Sequence, residues 1–337
     1  MDPIDLSPYI SLAFLFGIAA QFRAMDGYSF LRRVIAIFER RIGILYTIVI
    51  VTSLFSPFIL NDVVVIILTP VIIRYAKQFK VDIVPLLVAE ITFTNIASSL
   101  TPLGNPQNIL LWSASKVTFQ QFVIGTWLPL AISGIIAAII LLPFRKRFGS
   151  AREFPTTTGT KIPAMYLAIV ILAIVLSDLF GLAPYLSLGI GFLLGFLFTF
   201  HSLKQIIREF DLRSLLILYG FVGSVTLVSI VIGPAFSRYA SPVGQGMQPY
   251  SALFMGILSN LISNVPATQL VLSVTSISSH VAPKIAVEAG LAGNIDPIAS
   301  FANLLVLLMV SRAGFSIRKT IMLQFLIGII SFLPALL

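Results

Sequence analysis

Apolar runs long enough to cross a lipid bilayer follow one another along this whole chain, and few folds accommodate that. A membrane-spanning helix needs about 20 mostly apolar residues, and runs of that kind lie at 6–22, 83–112, 122–142, 162–180, 183–200, 214–236, 285–310 and 320–337. Hydrocarbon offers no partner to a backbone N–H or C=O, so what enters it must be a helix or a closed barrel. Runs this long specify helices. Composition agrees: 58% of the 337 residues are apolar and 10% are charged, against about a quarter charged in a soluble domain, and mean hydropathy is +1.01. The expected fold class is an all-α polytopic membrane protein, and an ordinary soluble enzyme is excluded.

Two further stretches, 42–76 and 250–280, are apolar but interrupted, the first by Pro57 and Asn61-Asp62, the second by Ser263-Asn264-Val265-Pro266. Each half of such a stretch has about 13 to 18 residues, or roughly 20 to 27 Å of helix at 1.5 Å per residue. That falls short of a hydrocarbon core of about 30 Å. A re-entrant helical hairpin, entering and leaving on one face, fits better than two crossings.

Charge then sets the faces. An excess of +9 in a membrane protein marks cytoplasmic loops, so no nucleic-acid partner is expected. Threading the chain with Asp2 and Asp5 outside leaves only Lys116, Arg238 and Lys284 of the 22 Lys and Arg outside. Both termini are then external to the cell membrane. Arg40 and Arg41 before the first hairpin, with Arg74, Lys77 and Lys80 after it, place its feet in the cytoplasm, whereas Arg238 and Lys284 place those of the second outside. Asp2 and Asp5 also stand where a cleaved export signal would carry Lys or Arg, so none is expected. Residues 26–41 set Tyr28, Leu31, Ile35, Phe38 and Ile42 against Arg32, Arg33, Glu39 and Arg40, the spacing of an amphipathic helix on the cytoplasmic surface. Residues 145–161 lack any period and form a linker between 1–144 and 162–337.

Those two halves repeat one another. Each carries an apolar hairpin with Asn at its tip and then an apolar helix broken by eight residues: Thr101-Pro102-Leu103-Gly104-Asn105-Pro106-Gln107-Asn108 in 83–112, and Asp296-Pro297-Ile298-Ala299-Ser300-Phe301-Ala302-Asn303 in 285–310. Pro102 aligns with Pro297 and Asn108 with Asn303 without a gap. Because the first hairpin opens inward and the second outward, the halves are inverted-topology repeats. Proline and glycine in such helices free backbone groups that persist only where protein, water or a ligand supplies partners. Broken ends aim helix N-termini at anions, while freed carbonyls and Asn, Ser or Thr oxygens can hold Na⁺.

The segments Asn61-Asp62-Val63 to Leu68-Thr69-Pro70 and Asn95-Ile96-Ala97-Ser98-Ser99-Leu100-Thr101-Pro102-Leu103-Gly104-Asn105-Pro106-Gln107-Asn108 resemble the signature of the ion transporter superfamily, nearest to its arsenite permease branch. Citrate permeases, Na⁺/H⁺ antiporters and divalent-anion/Na⁺ symporters are related. Ser263-Asn264-Val265-Pro266 and 294–303 are similar to the second-half signatures. Two departures stand out. One crossing precedes the first hairpin and three the second, so two scaffold helices of the family pattern are missing, and Asp296 and Ala299 stand where the family more often has Thr and Gly. The resemblance implies an elevator-like alternating-access transporter and a homodimer.

The candidate substrate- or ion-binding residues are Asn61, Asp62, Asn95, Thr101, Gly104, Asn105, Asn108, Ser263, Asn264, Asp296, Ser300 and Asn303. Acidic side chains at membrane depth are costly and therefore functional by default, which makes Asp296, Glu90 and Asp62 the coupling candidates; for Glu90 a structural carboxyl is an equal reading. Asp178 reads as interfacial. Gly191 and Gly195 form a GxxxG, more in keeping with packing inside the chain than with a dimer seam. With zero cysteines and two isolated histidines, thiolate or His metal sites are not expected; the coupling ion is H⁺ or Na⁺, the latter at Asn61 and Asn264. The chain has no P-loop, so an ion gradient or a separate ATPase subunit must supply the energy. The expected function is secondary transport of a small anion or oxyacid, arsenite-efflux-like and H⁺-coupled. Alternatives are a Na⁺-coupled carboxylate symporter, a Na⁺/H⁺ antiporter and, further off, a channel or a membrane-embedded enzyme.

Overall fold

The structure, a computed structural model, describes residues 6–148 and 161–337. Asp2, Asp5 and most of the linker lie outside the described residues. Within them all regular structure is helical.

α1 (Ser7–Ala24) begins with Pro8, whose missing N–H costs nothing at a helix start, and turns by 70° into α2 (Gly27–Ile42). α2 has the expected amphipathic character: Leu31, Ile35 and Ala36 are buried while Arg32, Arg33, Arg40 and Arg41 are exposed. Glu39 differs from the expectation, because it faces inward. Gly43, at φ +80°, makes the corner into α3 (Ile44–Phe55). α4 (Asn61–Phe79) follows a turn at 56–60, and α5 (Val84–Ser98) is separated by a non-helical break at 99–105 from α6 (Pro106–Ser115). A capping box of Thr118 and Gln121 opens α7 (Phe119–Leu141).

The second half runs through α8 (Ile162–Leu179), α9 (Pro184–Thr199), α10 (Leu203–Glu209) and α11 (Leu212–Gly244) before its hairpin stretch, α12 (Tyr250–Ile262) and α13 (Asn264–Val274). α14 (Ala282–Ala292) and α15 (Phe301–Arg312) are parted by a break at 293–300, which contains a 3-10 turn at Pro297–Ala299, and α16 (Arg318–Phe332) leads into a 3-10 turn at Leu333–Leu336.

Five of the expected crossings are helices long and apolar enough to span: Phe119–Arg145, Ile162–Leu179, Pro184–Glu209, Leu212–Gly244 and Arg318–Leu336. α1 enters a sixth only together with α2 as a bent pair. The stretches 83–112 and 285–310 differ from continuous spans because each is two short helices. α11 outruns the apolar run that ends at 236, continuing past Arg238 to Gly244 with Pro234 and Pro242 inside it. In the hairpin stretches α3, α12 and α13 have 12, 13 and 11 residues, roughly 17 to 20 Å of helix. α4 is longer at 19 residues and carries Pro70 inside it.

The packing is matched between halves. α3 lies on α5 as α12 lies on α14, and α7 lies on α14 as α16 lies on α5. Each half also reaches into the other: α4 packs on α15, and α13 on α6. Where the first half lacks scaffold helices, α9 packs on α1. The GxxxG packs α9 inside the chain: a Cβ on Gly191 would meet Ile174 of α8, and one on Gly195 would meet Gln21 of α1 and Tyr166 of α8. Gln21 in turn donates to the Phe192 carbonyl (3.1 Å), and the Tyr166 hydroxyl lies 3.0 Å from its Oε1.

Candidate functional site

A break in an apolar helix leaves carbonyls without their i+4 donors, and burial makes each of them costly. Both breaks solve this with one asparagine. Asn108, in the first turn of α6, sends its Nδ2 back to the carbonyls of Ser98 (3.0 Å) and Thr101 (2.7 Å), ten and seven residues earlier. Asn303, in the first turn of α15, reaches the carbonyls of Gly293 (2.6 Å) and Asp296 (3.4 Å), again ten and seven residues earlier. Asn105 and Ser300, both extended, are the N-caps of these helices. The turn between is matched as well: Thr101 Oγ1 accepts from Leu103 N (3.1 Å), and Asp296 Oδ1 from Ile298 N (2.7 Å). Asp296 therefore closes a turn where Thr101 closes its equivalent.

Each break also touches its own hairpin. Gly104 O accepts from Asn61 N (3.0 Å), and Thr101 Oγ1 donates to Pro57 O. In the second half Ala299 O accepts from Ser263 Oγ at 3.4 Å. A Cβ on Gly104 would fall 2.3 Å from Ser98 O and 2.6 Å from Ser56 O, so that close approach requires glycine. Ser263 has φ +74° and ψ +153°, a region almost restricted to glycine, and such outliers gather at ligand sites.

These contacts frame a cavity of about 420 Å³. Asn61 and Asp62 of α4, Asn105 and Pro106 at the start of α6, Ser263 to Pro266 at the start of α13, and Ile298, Phe301 and Leu304 of the second break line it, so the N-termini of four helices converge there. At none of the four does the N-cap residue's own side chain cap the helix, although on α4 Asn61 Oδ1 accepts from Asp62 N (2.9 Å). The remaining wall is Phe16 of α1 and Ser214, Ile217, Leu218 and Phe221 of α11, with Ile262. Among the described residues Asp62 is the one charged side chain on the cavity. A helix N-terminus carries about half a positive charge, so the four supply on the order of +2 against the single carboxylate.

Of the residues singled out in the sequence, Asn61, Asp62, Asn105, Ser263 and Asn264 line the cavity. Thr101, Gly104, Asn108, Asp296, Ser300 and Asn303 stand behind it in the breaks. Asn95 is on α5, fully buried, and its Nδ2 faces Gly293 O (3.0 Å), Asn294 Oδ1 (3.2 Å) and Asn303 Oδ1 (3.0 Å); it fastens the first half to the break of the second. Glu90 is away from the cavity and accepts from Thr69 of α4 (2.8 Å). Asp178, at the end of α8, is buried against the protein and receives Phe119 N at 2.6 Å, holding the start of α7.

Sequence reasoning missed Glu288. It is buried on α14 and accepts from Gln248 (2.6 Å) and Ser251 (2.8 Å), tying its helix to α12 as Glu90 ties α5 to α4. The rule applied to Glu90, an acid inside an apolar run, would have found it. The apolar lining from α1 and α11 carried no distinguishing signal. Nor did the ion pair of Arg23 with Glu209 (3.7 Å), which anchors α10 to the end of α1.

Residues 2–303 match the citrate transporter family CitMHS, and the chain belongs to that family within the ion transporter superfamily. An uncharacterized transporter of Methanocaldococcus jannaschii is 28% identical over 281 residues, which cover 78% of this chain and 70% of that one. Inner membrane protein YbiR of Escherichia coli is 28% identical over 286 residues, with 80% and 70% covered. Silicon efflux transporter LSI3 of Oryza sativa is 36% identical over 93 residues, 28% of this chain and 19% of that protein. The chain is thus a multi-pass membrane protein and a transporter, with a small molecule as its substrate.

Proposed function

We propose that this protein is a secondary active transporter which moves a small oxyacid or anion, arsenite-efflux-like, across the cell membrane by alternating access, with H⁺ as the coupling ion. The observation that carries the reading is the convergence of four helix N-termini and one carboxylate on a single cavity. Such ends attract negative charge or polarised oxygens and disfavour a bare cation at the centre. Their sum of about +2, less one for ionised Asp62, suits a neutral oxyacid or a monoanion. A tricarboxylate would need basic side chains, and among the described residues none lines the cavity. A proton on Asp62 changes the cavity's net charge by one, so proton occupancy and cargo occupancy are linked. A relative named for silicon efflux supports an oxyacid cargo.

In this reading 1–144 and 162–337 are inverted repeats, with re-entrant hairpins at 42–76 and 250–280 approaching from opposite faces. Matched packing, the short arms of α3, α12 and α13, and the Lys and Arg distribution support it. Asn61, Asn105, Ser263 and Asn264 hold the cargo's oxygens; Asp62 carries the proton; Thr101, Gly104, Asn108, Asp296, Ser300, Asn303 and Asn95 keep the breaks in shape. A homodimer over exposed apolar positions such as Leu197 and Val231 of α9 and α11 belongs to the same reading, as does independence from an ATPase subunit.

The family's citrate name favours a second reading, a Na⁺-coupled carboxylate symporter with Na⁺ at Asn61 and Asn264. Proteoliposomes carrying only this chain, given pH and Na⁺ gradients separately, distinguish the two. The first reading expects arsenite or silicic acid movement driven by the pH gradient, and Asp62→Asn should abolish that drive while sparing cargo exchange. Citrate uptake driven by Na⁺ alone would overturn it.

A further inference from the structure

Away from the cavity, an open groove lies between the C-terminal halves of α4 and α15, lined by Pro70, Ile73, Arg74, Lys77, Gln78, Met309 and Arg312. Pro70, Ile73 and Met309 give it an apolar wall, and three cations face it with no carboxylate in the lining. None of the three is in an ion pair among the described residues. The Lys77 ammonium rests 5.8 Å from the Phe315 ring centre. Lys77 and Arg312 also occupy the last turns of their helices, where cations complement the dipole; Arg74 lies a turn earlier, and that explanation does not reach it.

We propose that this groove binds an anionic phospholipid of the surrounding leaflet. Charge complementarity selects the headgroup, and the apolar wall along Ile73 and Met309 accepts an acyl chain, which a soluble anion does not require. Basic pockets between membrane helices on the cytoplasmic side take acidic lipids in this way, and the Lys and Arg distribution puts this end of the molecule there. The lipid would wedge α4 against α15, a contact through which each half reaches into the other. Each cation beside an anionic headgroup contributes about a fivefold preference, so three give on the order of a hundredfold for phosphatidylglycerol over phosphatidylcholine.

The test uses the full chain purified in neutral detergent, incubated with mixed micelles of phosphatidylglycerol and phosphatidylcholine and examined by native mass spectrometry. Phosphatidylglycerol should be retained selectively, and the R74Q/K77Q/R312Q variant, monodisperse on size exclusion, should lose that selectivity. R318Q/K319Q removes two cations from the start of α16, outside the groove lining, and should keep it. Equal loss in both variants would overturn the proposal in favour of a diffuse surface-charge effect. Displacement of the lipid by inorganic phosphate at millimolar concentration would overturn it in favour of a soluble-anion vestibule.

Discussion

Asn108 and Asn303 make the same two bonds at the same offsets, and Thr101 and Asp296 close the same turn, yet residues a step further out do not match. Gly104 faces its hairpin where the second half has Ala299, Asn95 stands where the second half has Gly290, and the turn at 56–60 has Ser263 alone as its counterpart. The matched positions satisfy backbone groups that the break itself frees, and an apolar surrounding leaves no other way to satisfy them. The unmatched positions form contacts between elements. There the two halves are free to differ, and the first hairpin is fastened by two bonds where the second has one long bond.

The largest test of that comparison exchanges Gly104 and Ala299. Gly104→Ala drives a methyl into two backbone oxygens that have nowhere to go, and overpacking of this kind costs about 1–3 kcal/mol or more. Loss of thermal stability in detergent together with loss of transport is expected. Ala299→Gly removes one buried methyl and should cost about 1 kcal/mol. Equal effects would mean that the two breaks approach their hairpins alike.

Next come the asparagines. Asn108→Ala and Asn303→Ala each strip the partner from two buried carbonyls, at about 1–3 kcal/mol, and each should impair transport. Asn303→Ala should be the more damaging, because Asn95 then loses an acceptor as well. A double-mutant cycle of Asn95→Ala with Asn303→Ala, read by melting temperature, should show coupling, whereas Asn95 with Asn108 should be nearly additive.

How much of this was legible in the sequence follows the same division. Pro102, Asn108, Pro297 and Asn303 announce the breaks because a broken backbone demands particular residue types nearby. The edges were placed up to three residues late: Asn108 reads as part of a polar gap, yet its backbone is already helical. The Asn95 contact joins residues about two hundred apart, and Gly290, which makes room for Ser99 beside it, looks like any small residue in an apolar helix. Phe16 and Phe221 were equally silent, because a cavity wall and a lipid-facing surface draw on the same side chains. The end of α11 lies past 236 because the apolar run stops before Arg238 while the helix itself continues through more polar residues to Gly244.

A smaller effect, of opposite sign in the two hairpins, is expected at the tips. Ser263 holds a glycine-like conformation that costs about 1–3 kcal/mol, while Leu60 at the other tip has φ −41° and ψ +131° and carries no such strain. Ser263→Gly should therefore raise the melting temperature even though it forfeits the long bond to Ala299 O. Leu60→Gly should lower it, through lost burial and added chain entropy. Destabilisation by both would indicate that the Ser263 hydroxyl matters more than its backbone.

The smallest effect should come from Asp296→Asn. A carboxylate replacing the threonine of the first half invites a role in coupling, but Asp296 is absent from the cavity lining and its Oδ1 is engaged with Ile298 N. An asparagine Oδ1 can accept that same bond, so the turn survives the exchange. Stability should change by less than about 0.5 kcal/mol, and the dependence of transport on pH and on Na⁺ should both stay as they are. Asp296→Ala removes the acceptor and should cost about 1 kcal/mol, which separates the turn from the charge. If Asp296→Asn instead abolishes drive by either gradient, the two halves differ in chemistry and not only in their contacts, and Asp62 loses its place as the sole carrier.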